Sequence, residues 1–263
     1  QERRVSNGAV PQVAHTHAYF SKVGGYASTN EHQVGLAEST CAAVFTGNRS
    51  RASLNIVDLS ELGLERARSA RAAIQIMGDL AERYGYYDAG ESLLVIDTIE
   101  AYIFHVLPDD SGRSAIWVAQ RVPDNHVGVV ANSFTVRNVD FDDRWTYLFS
   151  ENIRTMAERS GRWHSGDAFD FTRIFAGPEP GRKYYSGRRM WVAFRELAPA
   201  ASQHLSATYA EYVSAAPYPA TLPSSGVNVS DLIRTMRNYY QGTPFDLRLG
   251  MAAGPFGTPD RSL

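Results

Sequence analysis

The sequence predicts an α+β fold, with antiparallel strands covered by amphipathic helices. Three observations carry this. Leu62, Ala67, Ala70, Ile74, Met77, Ala81 and Tyr84 recur at helical spacing and mark one apolar face. "EAYIFHVL" and "SAIWVAQRV" are β-rich runs separated by "PDDSGR", a stretch with turn chemistry. The second half then carries three more helical patterns, over 147–161, 187–199 and 229–242.

In chain order, "VAHTHAYF" (13–20) alternates imperfectly and reads as a strand. Gly24-Gly25 supplies a turn or a close backbone approach, and "QVGLAES" (33–39) reads as a buried strand. A single long helix follows, with Ser60 as its cap, Glu61 in its first turn and Gly85 as its stop. After the hairpin, "HVGVVANSFTVRNV" (126–139) continues as one or two further strands. Ser230 is the expected cap of the last helix. "YVSAAPYPATLPSSGVN" (212–228) reads as a surface loop.

Composition narrows the function. The chain has 263 residues, 44% of them apolar, and a formal net charge of -2. That suits one large domain over 1–263. No basic block is present, so nucleic acid is not an expected partner. No apolar run approaches the roughly 18 residues of a membrane span, so no membrane is expected either. One cysteine excludes an internal disulfide and a multi-cysteine zinc site. The chain opens on Gln1 and closes without an evident final element, so it reads as a piece of a longer protein, truncated at both ends.

Each reactive side chain has a plain reading beside the chemical one. Cys41 is either a nucleophile or a small apolar residue closing a strand, and a reactive thiol needs a base or a positive field. His15 and His17 would share one strand face, which permits a metal pair, but no third and fourth ligand is near in sequence, so no metal is expected. Asp109-Asp110 belongs to a turn. Trp117, Trp145, Trp163 and Trp191 are expected in the core. Arg188-Arg189 follows Ser186 and a tyrosine pair near a helix start, where a carboxylate could bind.

Longer phrases extend the reading. "PQVAHTHAYF", "TNEHQVGLAESTC", "FHVLPDDSGRSAIWVAQRVPDNHVGVVANSF", "YYSGRRMWVAFRELAP" and "YYQGTPFDLRLGMAAGPFGTPDR" together resemble the C69 family of dipeptidases, which is related to the secernins. The resemblance runs from Pro11 to Arg261. It implies an N-terminal nucleophile hydrolase with a four-layer αββα sandwich. The catalytic Cys of such an enzyme opens the mature chain, and its α-amino group, with a pKa of roughly 8, acts as the base. The nucleophile Cys is therefore expected upstream of Gln1 and not in this chain, Cys41 closes a strand, and the piece alone is expected to be inactive.

The same resemblance implies oxyanion donors at Asn30, otherwise a turn residue entering a strand, and at Asn132, and an Arg that orders the site at Arg188 or Arg189. A dipeptidase must also hold a substrate terminus, where Arg188 or Arg189 would suit a carboxylate and Glu38 an amine. No cofactor is implied. The competing functions are a secernin-like binding protein acting in exocytosis and an acylase of another small amide. Bacterial members suggest a cytoplasmic location, and analogy with related hydrolases allows a homo-oligomer.

Overall fold

A computed structural model describes residues 2–21, 27–178, 183–205 and 218–253. The expected Gly24-Gly25 turn and residues 212–217 of the expected loop lie outside the described residues. The elements begin with β1 (Glu2–Val5), β2 (Gly8–Pro11), β3 (Tyr19–Ser21), β4 (Ser28–Asn30) and β5 (Gly35–Cys41). Then come α1 (Ile56–Arg66), α2 (Ala70–Tyr84), β6 (Gly90–Ile96), β7 (Ala101–Pro108), β8 (Ala115–Val122) and β9 (His126–Gly128). β10 (Tyr147–Phe149), α3 (Ile153–Arg159), α4 (Phe171–Phe175), α5 (Arg188–Leu197), β11 (Thr221–Pro223) and α6 (Val229–Met236) complete the order. The mixture is α+β. Among the described residues no helix is long and apolar enough to cross a membrane.

The described residues fall into two compact units, within Gln1–Asp124 plus Asn132–Pro180 and within Asn125–Ala131 plus Gly181–Leu263. The first is built on a seven-stranded antiparallel sheet, in the order β10-β8-β7-β6-β5-β4-β3. Alternation gives this sheet two faces. Leu36, Leu93, Val95, Phe104, Val106 and Trp117 point to the face covered by α1 and α2, in one continuous apolar core. Each fully buried Leu, Val or Phe there contributes roughly 1.5–3 kcal/mol. Gly78 of α2 lies against the Trp117 ring, and a Cβ on it would sit 2.3 Å from Trp117 Cε2. The other face carries Cys41, Ser92 and His105, and Phe134 and Phe171 pack on His105.

Several expected elements take a different form. The long helix is two helices. α1 starts earlier, at a capping box of Asn55 and Asp58, and Ser60 is buried inside it. α2 is capped separately by Ser69, and the Ala70 N–H also reaches Asp97 Oδ2 at 2.7 Å. Polar groups elsewhere satisfy both ends of the break, so the chain turns there at little cost. Gly85 does end α2, with φ +76.

In the segment 13–20 only Tyr19 and Phe20 are in a strand. Tyr147–Phe149 is a strand, and the helix expected over 147–161 covers only Ile153–Arg159. Within 126–139 only His126–Gly128 is a strand. Asn228, not Ser230, caps α6, again through a capping box, here with Asp231. Trp145 is 65% exposed, with the Arg71 and Arg121 guanidinium groups against its ring. In the second unit, β9 pairs with β11, and Met190 and Phe194 of α5 pack with Tyr218 and Leu222.

Candidate functional site

Cys41 closes β5 and is 3% exposed. Its thiol donates to Ser39 O at 3.2 Å and lies 3.1 Å from Ser92 Oγ. Ser92 Oγ is in turn 2.7 Å from His105 Nδ1. The line from thiol to hydroxyl to imidazole has the outline of a catalytic relay. The far side of the ring decides otherwise. His105 Nε2 accepts the backbone N–H groups of Thr135 at 2.9 Å and Val136 at 3.1 Å. These contacts place the ring proton on Nδ1, which donates to Ser92. The lone pair that a base would use is occupied, and burial pushes the imidazole down to about 3. This histidine has no means of taking a proton from Cys41.

Glu38 lies two residues before Thr40 on the helix-covered face of β5. Glu91 stands directly opposite Thr40 and diagonal to Glu38. Glu91 is 2% exposed, and burial, then a hydrogen bond with Glu38 and the Glu38 charge, pushes its carboxyl up to about 10. It therefore stays protonated at neutral pH. Neither Glu38 Oε2 nor Glu91 Oε2 has a donor from elsewhere among the described residues. The fully buried Tyr86 hydroxyl is raised well above the usual phenol value by burial, then by Glu91, Asp88 and Glu38. Glu91 and Tyr86 were missed in the sequence. "GESLLVI" (90–96), an apolar run headed by an acid, was the available signal.

Asn132 has φ 52, a left-handed conformation that Asn tolerates. Its backbone N–H donates to Ser39 Oγ and its side-chain amide to Thr40 O, each at 2.7 Å. It is thereby fixed to the end of β5, on the strand that carries Glu38. Asn30 is 5% exposed at the end of β4. Its Nδ2 donates to Leu64 O at 3.0 Å and Ala67 O at 2.8 Å, and its Oδ1 accepts the N–H groups of His32 and Val34 at 3.0 Å each. Those bonds fold the turn after β4 and close the end of α1.

That turn brings together a cluster that sequence spacing did not. His17 Nδ1 lies 3.1 Å from His32 Nε2 and 3.6 Å from Glu31 Oε1. His15, the residue first paired with His17, is not part of it. Asp109 is a turn residue as expected, accepting from Ser111 Oγ and from the N–H groups of Arg113 and Ser114. An apolar groove of about 530 Å³ borders Phe20, Gly35, Leu94 and Ile96, and among the described residues no titratable side chain lines it.

In the second unit, the Arg188 guanidinium lies 3.7 Å from the Phe245 ring centre. Arg189 lies 4.2 Å from that of Tyr185 and donates to Tyr185 O at 2.6 Å. Each guanidinium thus sits at cation–π distance from an aromatic ring.

The chain matches the model of peptidase family C69 over residues 5–254. It is 26% identical to a probable dipeptidase of Latilactobacillus sakei over 72% of this chain and 37% of that protein. It is 27% identical to a probable dipeptidase of Salmonella dublin, over 68% of this chain and 39% of the other. Dipeptidase A of Lactobacillus helveticus is 20% identical over 81% and 41%. The chain thus spans about two fifths of the length of these curated relatives. The family match runs along nearly the whole sequence, and the chain belongs to peptidase family C69.

Proposed function

We propose that this chain is part of a cysteine-type dipeptidase whose nucleophile is a residue other than Cys41, upstream of Gln1. The dipeptidase names of its relatives support the reaction class. The observation that supports a nucleophile elsewhere is the environment of Cys41. Its thiol is buried, and His105, reached from it through Ser92, gives its Nε2 lone pair to two backbone N–H groups.

In this reading an N-terminal Cys gives its proton to its own α-amino group and attacks the dipeptide carbonyl. The oxyanion collapses to a thioester as the amine leaves with that proton. Water then cleaves the thioester. The fold carrying this chemistry is a four-layer αββα sandwich, and the large antiparallel sheet with helices on one face is consistent with one such half.

Asn132 is our preferred oxyanion donor, because the bonds it donates to Ser39 Oγ and Thr40 O hold its position, and removing one oxyanion donor costs on the order of 3 kcal/mol. Asn30 is assigned a positioning role, because both its amide protons go to Leu64 and Ala67. Glu38, the half-buried member of the acid pair, is assigned to the substrate ammonium. Within the second unit, Arg188 and Arg189, each with its guanidinium over an aromatic ring, are suited to a carboxylate ligand.

The test is N-terminal sequencing of the mature full-length gene product together with a dipeptide hydrolysis assay. A mature chain that begins with Cys and hydrolyses dipeptides is expected. An active enzyme whose mature chain begins with any other residue contradicts the mechanism.

A further inference from the structure

Three side chains from two short segments converge beside β3 and β4: His17, just before β3, and Glu31 and His32, in the turn after β4. Their ligand atoms all lie within 4.8 Å of one another. We propose that His17, Glu31 and His32 form a binding site for a divalent cation of the zinc type, with water in the fourth position.

The spacing is the first argument. Zinc bonds to nitrogen and oxygen of about 2.0–2.1 Å set the edges of a tetrahedral site at about 3.3–3.4 Å. The 3.1 Å between His17 Nδ1 and His32 Nε2 and the 3.6 Å between His17 Nδ1 and Glu31 Oε1 bracket that edge.

Chemistry is the second. Two imidazoles and one carboxylate suit zinc and its neighbours in the first transition row, and they do not suit magnesium or calcium, which take oxygen ligands. The three side chains are partly or fully exposed, so an ion and its water can enter.

The third is how firmly the ligands are placed. The His17 N–H donates to Glu65 O at 2.8 Å, beside the end of α1. The Glu31 N–H donates to Ala18 O at 2.9 Å, and Glu31 Oε1 accepts the Ala18 N–H at 3.1 Å. The His32 N–H goes to Asn30 Oδ1. Backbone that is held at each ligand loses little entropy on binding, and the carboxylate has a hydrogen bond of the kind that orients metal ligands. The bound ion would tie the segment before β3 to the turn after β4.

The competing account is an imidazole–imidazole hydrogen bond with no affinity for metal. It is separated by calorimetric titration of chelator-treated full-length protein with zinc chloride alone, with the thermal midpoint followed in parallel. One equivalent of zinc is expected to bind and to raise the midpoint. His17→Ala, Glu31→Gln and His32→Ala should each weaken binding at least tenfold and remove the zinc-dependent rise. His15→Ala, close in sequence but outside the cluster, should change neither. Cobalt substitution should give the intense visible bands of a tetrahedral site in the wild type and in His15→Ala, and in none of the three cluster variants. Folded single variants that bind zinc like the wild type, or a wild type that binds none, overturn the proposal. So does an equal loss in His15→Ala.

Discussion

Glu91 lies diagonally from Glu38 across the β5–β6 pair, and its buried carboxyl keeps its proton with Glu38 beside it. The consequence is a pH dependence with a definite sign. In the unfolded chain Glu91 releases its proton near its ordinary value of 4.5, but in the fold it does so only near 10. Between these values the folded state binds more protons, so stability falls as pH rises, by up to about 1.4 kcal/mol per pH unit from one group. Glu91→Gln keeps the shape and removes the titration. Urea denaturation at about pH 6 and pH 9 should show the wild type losing more stability than the variant over that interval. Identical losses would show that Glu91 is ionised in the fold.

His105 acts in the opposite pH range. Its folded value is lowered to about 3, so its contribution is complete above the unfolded value of 6.5 and is lost as pH falls below it. NMR of the ring nitrogens should show Nδ1 protonated, Nε2 unprotonated and no titration between about pH 5 and 8. An imidazole that titrates near 6.5 would break the Thr135 and Val136 assignment.

Asn30→Ala removes four hydrogen bonds, three of them buried and the one from the His32 N–H part-buried. Each buried backbone group left without a partner costs roughly 1–3 kcal/mol, less where water can reach it. The expected loss is therefore several kcal/mol in chemical denaturation. A loss below about 1 kcal/mol would remove the positioning role assigned to this residue.

Gly78→Ala places a methyl group where Trp117 stands, 2.3 Å from Cε2. α2 or the indole must shift, and overpacking of this kind costs about 1–3 kcal/mol. The Trp117 N–H bond to Glu82 Oε1, now 2.7 Å, should be strained too, with a change in tryptophan fluorescence. An unaltered midpoint and spectrum would mean that the helix and the sheet are less closely packed than described.

The strongly periodic parts of this fold were legible in the sequence. The β7–β8 hairpin, the strand expected over 33–39 and found at Gly35–Cys41, where only Leu36 and Cys41 are buried, and the apolar face of α2 all follow patterns that local physics dictates. The break between α1 and α2 was not, because it depends on Asn30, His17 and Asp97, which are distant in sequence and satisfy the exposed helix ends. The chosen caps failed for a related reason. Ser60 and Ser230 are good cap residues, but Asn55 and Asn228 each have an Asp three positions on and form the reciprocal box. Of the site, Glu38 was picked out and its partner was not. Glu91 sits on a strand whose short apolar run gave no periodic signal. The same holds for His17, Glu31 and His32, which chain reversal brings together and linear spacing does not.

In the proposed dipeptidase Cys41 is a structural thiol and another residue is the nucleophile. Steady-state dipeptide hydrolysis by the full-length Cys41→Ala variant tests it most directly, with circular dichroism to verify the fold. Turnover within a few-fold of the wild type is the expected result. Complete loss of hydrolysis in a folded variant would make Cys41 the nucleophile and contradict the assignment.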